Sequence, residues 1–239
     1  MKGIFVILAF KHFPQILMKK TILLFLGILL LNSCASTLLT NKNIPPSEVQ
    51  NIAYFEPVSL ISLIQKGNQT KPSDSLSLIS TKILDSIIEN SNHPKVTKQI
   101  NFTDPKLKLR LQNDIFKTMT EIRKTKKLEN IKTSPLMDSL VKNKNQRFAL
   151  CMINAGFARR KNNYGNQVAK GIGVGILTLG LYTPVPVKAN TSTYAMIYDA
   201  QNSSVVFFNY FPLIEKSPVD KKNLNTIYDY LFKTYYQQK

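Results

Sequence analysis

Few side chains in this 239-residue sequence have the types and spacing that could do chemistry. The sequence holds two cysteines, Cys34 and Cys151, and two histidines, His12 and His93. A thiol can form a disulfide, bind zinc or be acylated, and an imidazole can act as a general base or a metal ligand. The neighbouring residues decide which of these reactions is open to each side chain.

Cys34 directly follows a segment with the pattern of an export signal. Lys19 and Lys20 precede the apolar run 22–31, and small residues surround the cysteine. A run of about ten residues is too short to cross a bilayer as a helix, which takes roughly 20. The pattern therefore predicts a signal peptide over residues 1–33, with its natural start at Met18, and not a pair of membrane helices.

The run Leu31-Asn32-Ser33-Cys34 resembles the lipobox of bacterial lipoproteins, in the variant with Asn32 that is familiar from Bacteroidetes-like proteins. The resemblance implies cleavage before Cys34, diacylation of its thiol with palmitate-like chains and often acylation of its new amino group. Two or three acyl chains anchor a protein durably, at roughly 0.8 kcal/mol per buried CH2. Because no acidic run follows the cysteine, we expect an outer-membrane lipoprotein that faces the periplasm. The alternative is an ordinary buried cysteine.

Removing residues 1–33 takes away four lysines, His12 and no acidic residue, which leaves 28 basic and 14 acidic residues and a net charge of +14. Cys151 then has no partner for an intramolecular disulfide, and a catalytic triad would rest on His93 alone. We expect no metal site, no cofactor and no enzymatic activity. A pI near 9.8 is typical of nucleic-acid binding, but export argues against a nucleic-acid partner.

Basic residues are concentrated between Lys106 and Lys132, where nine Lys and Arg stand against three acidic residues. The candidate basic patch comprises Arg123, Lys124, Lys126 and Lys127. On an amphipathic helix such residues usually form the solvated face. The alternative is a surface that lies on anionic lipid headgroups beside the anchor.

A glycine-rich apolar segment spans residues 165–187 and holds five of the nine glycines. It matches no phosphate-binding loop, because Ile176 stands where a dinucleotide motif needs its third glycine, and no Lys-Ser/Thr pair follows Gly175. Exposed apolar surface is unfavourable by about 25 cal/mol per Å2, so the segment must cover the core, meet another subunit or touch the membrane. The candidate interface residues are Ile172, Val174, Ile176, Leu177, Leu179 and Leu181.

The remaining pattern predicts one domain over residues 51–239, preceded by a lipidated tether over 34–50. Apolar periodicity predicts helices over 74–90, 104–124 and 217–236 and a weaker helix after Ser134-Pro135. Strands are expected at 53–55, 58–64 and 96–102, with a buried strand at 148–157 and a hairpin of 193–198 with 205–211. These elements indicate an α/β (α+β) fold with a mixed or antiparallel sheet of about four to five strands flanked by helices.

A family pattern lies in the last part of the chain. Residues 194–200, a turn and Val205-Val206-Phe207-Phe208-Asn209, followed by a closing helix, resemble periplasmic lipoproteins related to the curli-secretion channel subunit and the penicillin-binding-protein activators. The resemblance covers roughly residues 147–239 and implies a non-catalytic assembly or scaffolding role, with a protein partner or a homo-oligomer. The alternative from the residues alone is a binding module for anionic envelope polymer or lipid, which the charge of +14 suggests.

Overall fold

Each helix is preceded by an N-cap residue whose side chain accepts a hydrogen bond from a backbone N–H of the first turn. The computed structural model describes residues 37–131, 133–160 and 187–237. In it, the Asp104 side chain accepts a hydrogen bond from the Lys106 N–H at 2.8 Å, and a proline occupies the first helical position after Asp104. Ser73, Ser134 and Asp220 cap the other helices. The helices are α1 (Asp74–Glu89), α2 (Pro105–Thr125), α3 (Pro135–Lys142) and α4 (Lys221–Tyr236).

The described residues also form eight strands, with a short 3-10 turn at Lys66–Asn68. The strands are β1 (Leu39–Thr40), β2 (Ile52–Phe55), β3 (Val58–Ile64), β4 (Thr70–Pro72), β5 (Val96–Ile100), β6 (Phe148–Arg159), β7 (Ala189–Asp199) and β8 (Ser204–Ile214). The fold is α/β with a mixed sheet, as predicted, but the expected strand number of four to five was too low.

The strands join in the order β1-β8-β7-β6-β2-β5, and β3 and β4 extend the sheet along the second half of β6. Strand β6 is parallel to β2 and β3 and antiparallel to β7. Its first half, Phe148–Ile153, is fully buried, because helices cover both faces of the sheet there. The predicted central strand is thereby confirmed.

Two apolar cores lie on opposite faces of this sheet. Helices α1 and α4 pack on one face through residues such as Leu84 and Phe232. Helices α2 and α3 pack on the other through residues such as Ile122 and Val141. The chain from Thr37 onward forms one compact unit.

Two of the eight strands, β1 and β4, match none of the six predicted strand positions, and both are short. Strands β1 and β4 have two and three residues, too few to show a period of two. Strand β4 pairs antiparallel with β3. The predicted last helix also begins later, at Lys221, because Asp220 caps it instead of Ser217.

Residues 37–50, which lie within the predicted tether, pack on the domain. Leu39 and Thr40 pair with Phe208 and Phe207 of β8. Val49 is completely buried in the core under α4. The apolar side chains of this segment are therefore part of the fold.

Candidate functional site

The cysteine and the histidine among the described residues both lie in surroundings that indicate a structural role. Cys151 lies inside β6 with no exposed surface, and burial raises the pKa of its thiol, which keeps it protonated and unreactive. His93 is exposed in a turn, and its ring stacks on Tyr236 at 5.8 Å. Across the described ranges, no three His, Cys, Asp or Glu side chains are grouped as a metal site would require.

Asp199 is the most deeply buried carboxylate at the end of the sheet where β7 stops. Arg147 donates to both of its oxygens, from Nε to Oδ1 at 3.3 Å and from Nη2 to Oδ2 at 3.0 Å, which is a bidentate geometry. The same carboxylate accepts from the backbone of Gln201 and from the side chain of Asn202. Asp199 thus holds the β7–β8 turn.

A buried polar cluster on Asn154 was not predicted from the sequence. Its Oδ1 accepts from the hydroxyls of Thr191 and Thr193 at 2.7 and 3.0 Å. Its Nδ2 donates to Ser80 Oγ at 2.8 Å and to the Pro218 carbonyl at 3.4 Å. The one sequence feature that could have indicated this cluster is a single Asn within an otherwise apolar strand. Its hydrogen bonds connect β6 to β7 and to the helices, so Asn154 has a structural role and not a reactive one.

The chain enters the fold immediately behind the predicted lipidation site. The Thr37 hydroxyl contacts Asn209 Oδ1 at 2.7 Å and the Tyr210 carbonyl at 2.8 Å. Thr37 precedes β1 by two residues, and β1 pairs antiparallel with β8. Cys34 itself lies outside the described residues, but only Ala35 and Ser36 separate it from Thr37.

An apolar groove of about 260 Å3 lies between α2 and the sheet. Leu60 and Phe116 line it and are each about half exposed, at 51% and 52%. Arg123 closes one end, with its guanidinium 5.7 and 5.4 Å from the ring centres of Tyr194 and Tyr210. It also donates to Tyr194 Oη at 3.0 Å, so the groove has apolar walls and one ordered cation at its rim.

The four residues of the predicted basic patch are exposed around the C-terminal end of α2. Arg123 belongs to the groove through its tyrosine contacts, whereas Lys124, Lys126 and Lys127 lie beyond it in the last turn and the following loop. The predicted interface residues Ile172, Val174, Ile176, Leu177, Leu179 and Leu181 lie outside the described residues.

A second depression, of about 660 Å3, lies between the end of α1 and α4. Its walls carry amides and hydroxyls, including Asn90, Ser91 and Asn225, two lysines, Lys221 and Lys233, and one carboxylate, Asp229. Such a lining suits a polar or anionic ligand. This depression could not be predicted from the sequence, because the two helices that form it are more than 100 residues apart.

No protein family matches the sequence, and no curated protein matches it. Among solved structures, the chain is similar to a PelC dodecamer from Paraburkholderia phytofirmans, with 7% identity, a TM-score of 0.36 and coverage of 84% of this chain and 96% of that chain. It is also similar to the LpoB C-terminal domain from Salmonella enterica, with 6% identity, a TM-score of 0.28 and coverage of 72% and 86%. Scores of this size assign neither a family nor a function.

Helices long and apolar enough to span a membrane do not occur among the described residues.

Proposed function

We propose that this protein is a lipid-anchored, non-catalytic assembly or scaffolding factor at the periplasmic face of the outer membrane. The observation that carries the proposal is the lipobox-like run at Cys34 followed, after two residues, by folded chain. A residue advances the chain by at most about 3.3–3.6 Å, so Cys34 lies within about 10 Å of Thr37. An acylated Cys34 would therefore hold the domain against the membrane surface and not at the end of a flexible tether.

The groove surface is suited to contact with another protein, either a different partner or a second copy of this chain. Leu60 and Phe116 present apolar surface on neighbouring elements, and Arg123 lies beside them. Exposed apolar side chains rimmed by an ordered arginine are typical of protein contacts. We propose the segment with Ile172, Val174, Ile176, Leu177, Leu179 and Leu181 as a further part of the contact surface.

Pull-down of the acylated protein from solubilised envelope tests this function. We expect a stoichiometric protein partner with the wild type and its loss with Phe116→Glu. The matched control is Leu78→Glu on α1, because Leu78 is exposed to a similar degree, at 55%, and lies away from the groove. Retention of the partner by Phe116→Glu, or equal loss with both variants, would contradict the groove as the contact surface.

The second candidate function is a binding module for anionic envelope polymer, and the depression between α1 and α4 favours it. Lys221 and Lys233 line that depression together with several amides. For this function we expect salt-sensitive retention on an anionic polysaccharide column. Retention would fall in a Lys221→Gln, Lys233→Gln double variant and not in a Lys124→Gln, Lys126→Gln control.

Replacing residues 168–184 by a short Gly/Ser linker tests the apolar segment. If the segment is a contact surface, we expect a stably folded chain that no longer associates with its partner or with bilayers. Loss of folding would mean that the segment covers the core. Unchanged stability together with unchanged association would contradict the proposal.

A further inference from the structure

One wall of the depression between α1 and α4 is a row of polar side chains on α4. Lys221, Asn225, Asp229 and Lys233 follow one another at intervals of four residues, so they lie along one face of the helix. All four are exposed. The two lysines lie about 18 Å apart along the helix axis, and Asp229 lies between them. The wall therefore presents two cations and one anion in a line, which suits an extended ligand.

These charges are available to a ligand. Within the ranges that the structure describes, Lys221, Lys233 and Asp229 form no ion pairs. Asn225 Nδ2 donates to Asp229 Oδ2 at 3.1 Å, which orients the carboxylate and leaves its Oδ1 as an acceptor. Asp229 is thus an oriented acceptor between two unpaired cations.

The opposite wall consists of the end of α1 and the turn that follows it. Asn90, Asn92 and His93 are exposed there. Asn90 Nδ2 donates to the Ser86 carbonyl at 2.7 Å, which leaves the side-chain oxygen of Asn90 as an acceptor. Because side-chain amides offer both donors and acceptors, this wall suits a ligand that carries many hydroxyl groups.

The floor of the depression offers no pocket for an apolar anchor. Ile87, Tyr228 and Phe232 line it, but each is at most 5% exposed because it belongs to the core. The Tyr228 hydroxyl is buried beside Ser91 and has no hydrogen-bond partner among the described residues. Since buried hydroxyls are rarely left without a partner, this group can bond to a polar ligand or to water in the depression. The lining therefore suits a hydroxylated ligand better than the apolar side chains of a protein partner.

We propose that this depression binds an acidic polysaccharide, a chain of sugar rings that carry both carboxylates and hydroxyl groups. Lys221 and Lys233 each bind a carboxylate, and Asp229 between them accepts hydrogen bonds from ring hydroxyls. A polyanion without hydroxyl groups has no donor for Asp229 and is repelled by it, so Asp229 is the residue that selects the ligand. This inference rests on the second candidate function, the binding of an anionic envelope polymer, and names the chemical class of that polymer.

Titration calorimetry on the full chain, held in a non-ionic detergent, tests the proposal with two probes. The first probe is an oligogalacturonate, which carries one carboxylate and free hydroxyl groups on each sugar ring. The second is an oligoglutamate with the same number of carboxylates and no hydroxyl groups. We expect the wild type to bind the oligogalacturonate at least about tenfold more tightly, because the oligoglutamate leaves Asp229 facing carboxylates without a donor.

Three variants separate charge from selection. Asp229→Asn should bring the two affinities to within about threefold of each other, because it removes the repulsion that the oligoglutamate meets. The matched control is Glu121→Gln, which removes the same charge from an exposed position on α2, on the other face of the sheet, and should leave the ratio unchanged. Changing both Lys221 and Lys233 to Gln should weaken the binding of the oligogalacturonate at least about tenfold.

Two results would overturn the inference and leave the second candidate function intact. The first is equal binding of both probes that the double lysine variant abolishes, since the depression would then bind any polyanion. The second is a preference for the oligoglutamate, which would make the depression a site for an acidic peptide. Selectivity that Asp229→Asn leaves unchanged would show that Asp229 does not select the ligand. Binding of neither probe, or binding that the double lysine variant leaves unchanged, would contradict the second candidate function itself, and the inference with it.

Discussion

Asn154 shows how one polar side chain orders the interior of this protein. It bonds within the sheet to Thr191 and Thr193 of β7, across a layer to Ser80 of α1, and to the Pro218 carbonyl before α4. Each group is buried, so a broken contact is not replaced by water. The cluster fixes the register of β6 against β7 and the position of two helices at once.

Replacing Asn154 by Ala should lower the free energy of unfolding by at least about 2 kcal/mol, because it leaves buried hydroxyls without a partner. Chemical denaturation measures this change. Asn225→Ala is the control, since Asn225 is exposed and bonds to Asp229, and should change stability by less than about 0.5 kcal/mol. Equal stabilities of the two variants would contradict the role of the cluster.

Asp85 is a residue whose charge opposes folding. Burial raises the pKa of its carboxyl above the ordinary 3.8, and the carboxylates of Glu89 and Glu56 raise it further. Hydrogen bonds from the Tyr54 hydroxyl and, at 2.8 Å, from Gln99 Nε2 act in the opposite direction, but the pKa remains raised. The ionised form is therefore less favourable in the folded state than in the unfolded chain.

The resulting penalty is present above the raised pKa and disappears as the pH falls below the unfolded value. We expect Asp85→Asn to be more stable than the wild type at pH 7, with a difference that shrinks between neutral pH and about pH 4. Urea unfolding of both proteins across this range is the measurement. A stability difference that is constant, or that grows on acidification, would show that ionisation of Asp85 does not destabilise the folded state.

Among the elements, β1 and the residues after it link the predicted anchor to the core. Val49 is fully buried, and Tyr236 Oη of α4 donates to its carbonyl at 3.1 Å. The segment thus contacts the last helix of the domain, and a membrane anchor at Cys34 would be coupled to the core through β1.

Val49→Ala should lower the free energy of unfolding by about 2 kcal/mol, because two methyl groups leave a packed core. Val219→Ala, at a partly exposed position, serves as the control and should have a smaller effect. A thermal or urea transition that Val49→Ala leaves unchanged would mean that this segment is the loose tether expected from its sequence.

The elements that were predicted well from the sequence have either a long apolar pattern or a clear capping residue. The predicted helix over 104–124 starts within a residue of α2, which Asp104 caps, and the predicted strand at 148–157 starts where β6 does. Ser217-Pro218 resembles a helix start equally well, but the Pro218 carbonyl is drawn to Asn154, and Asp220 caps α4 instead. The groove could not be predicted, because Leu60, Phe116 and Tyr194 meet only through the pairing of β3, β6 and β7 around α2.

On the scale of the whole molecule, the groove and the Asp199 turn lie at different levels along the sheet. The groove lies beside the half of β6 that pairs with β3, and the Asp199 turn closes the end at which β7 stops. A lipid at Cys34 would tether this domain to the membrane, where the groove could contact a protein partner.

Metabolic labelling with a clickable fatty acid is the most direct test of lipid anchoring, on which the proposed function depends. We expect the wild type and Cys151→Ala to carry the label and Cys34→Ala to lack it, because Cys151 is buried in β6 and only Cys34 follows the lipobox-like run. Equal labelling of Cys34→Ala and the wild type, or no labelling of either, would contradict the account.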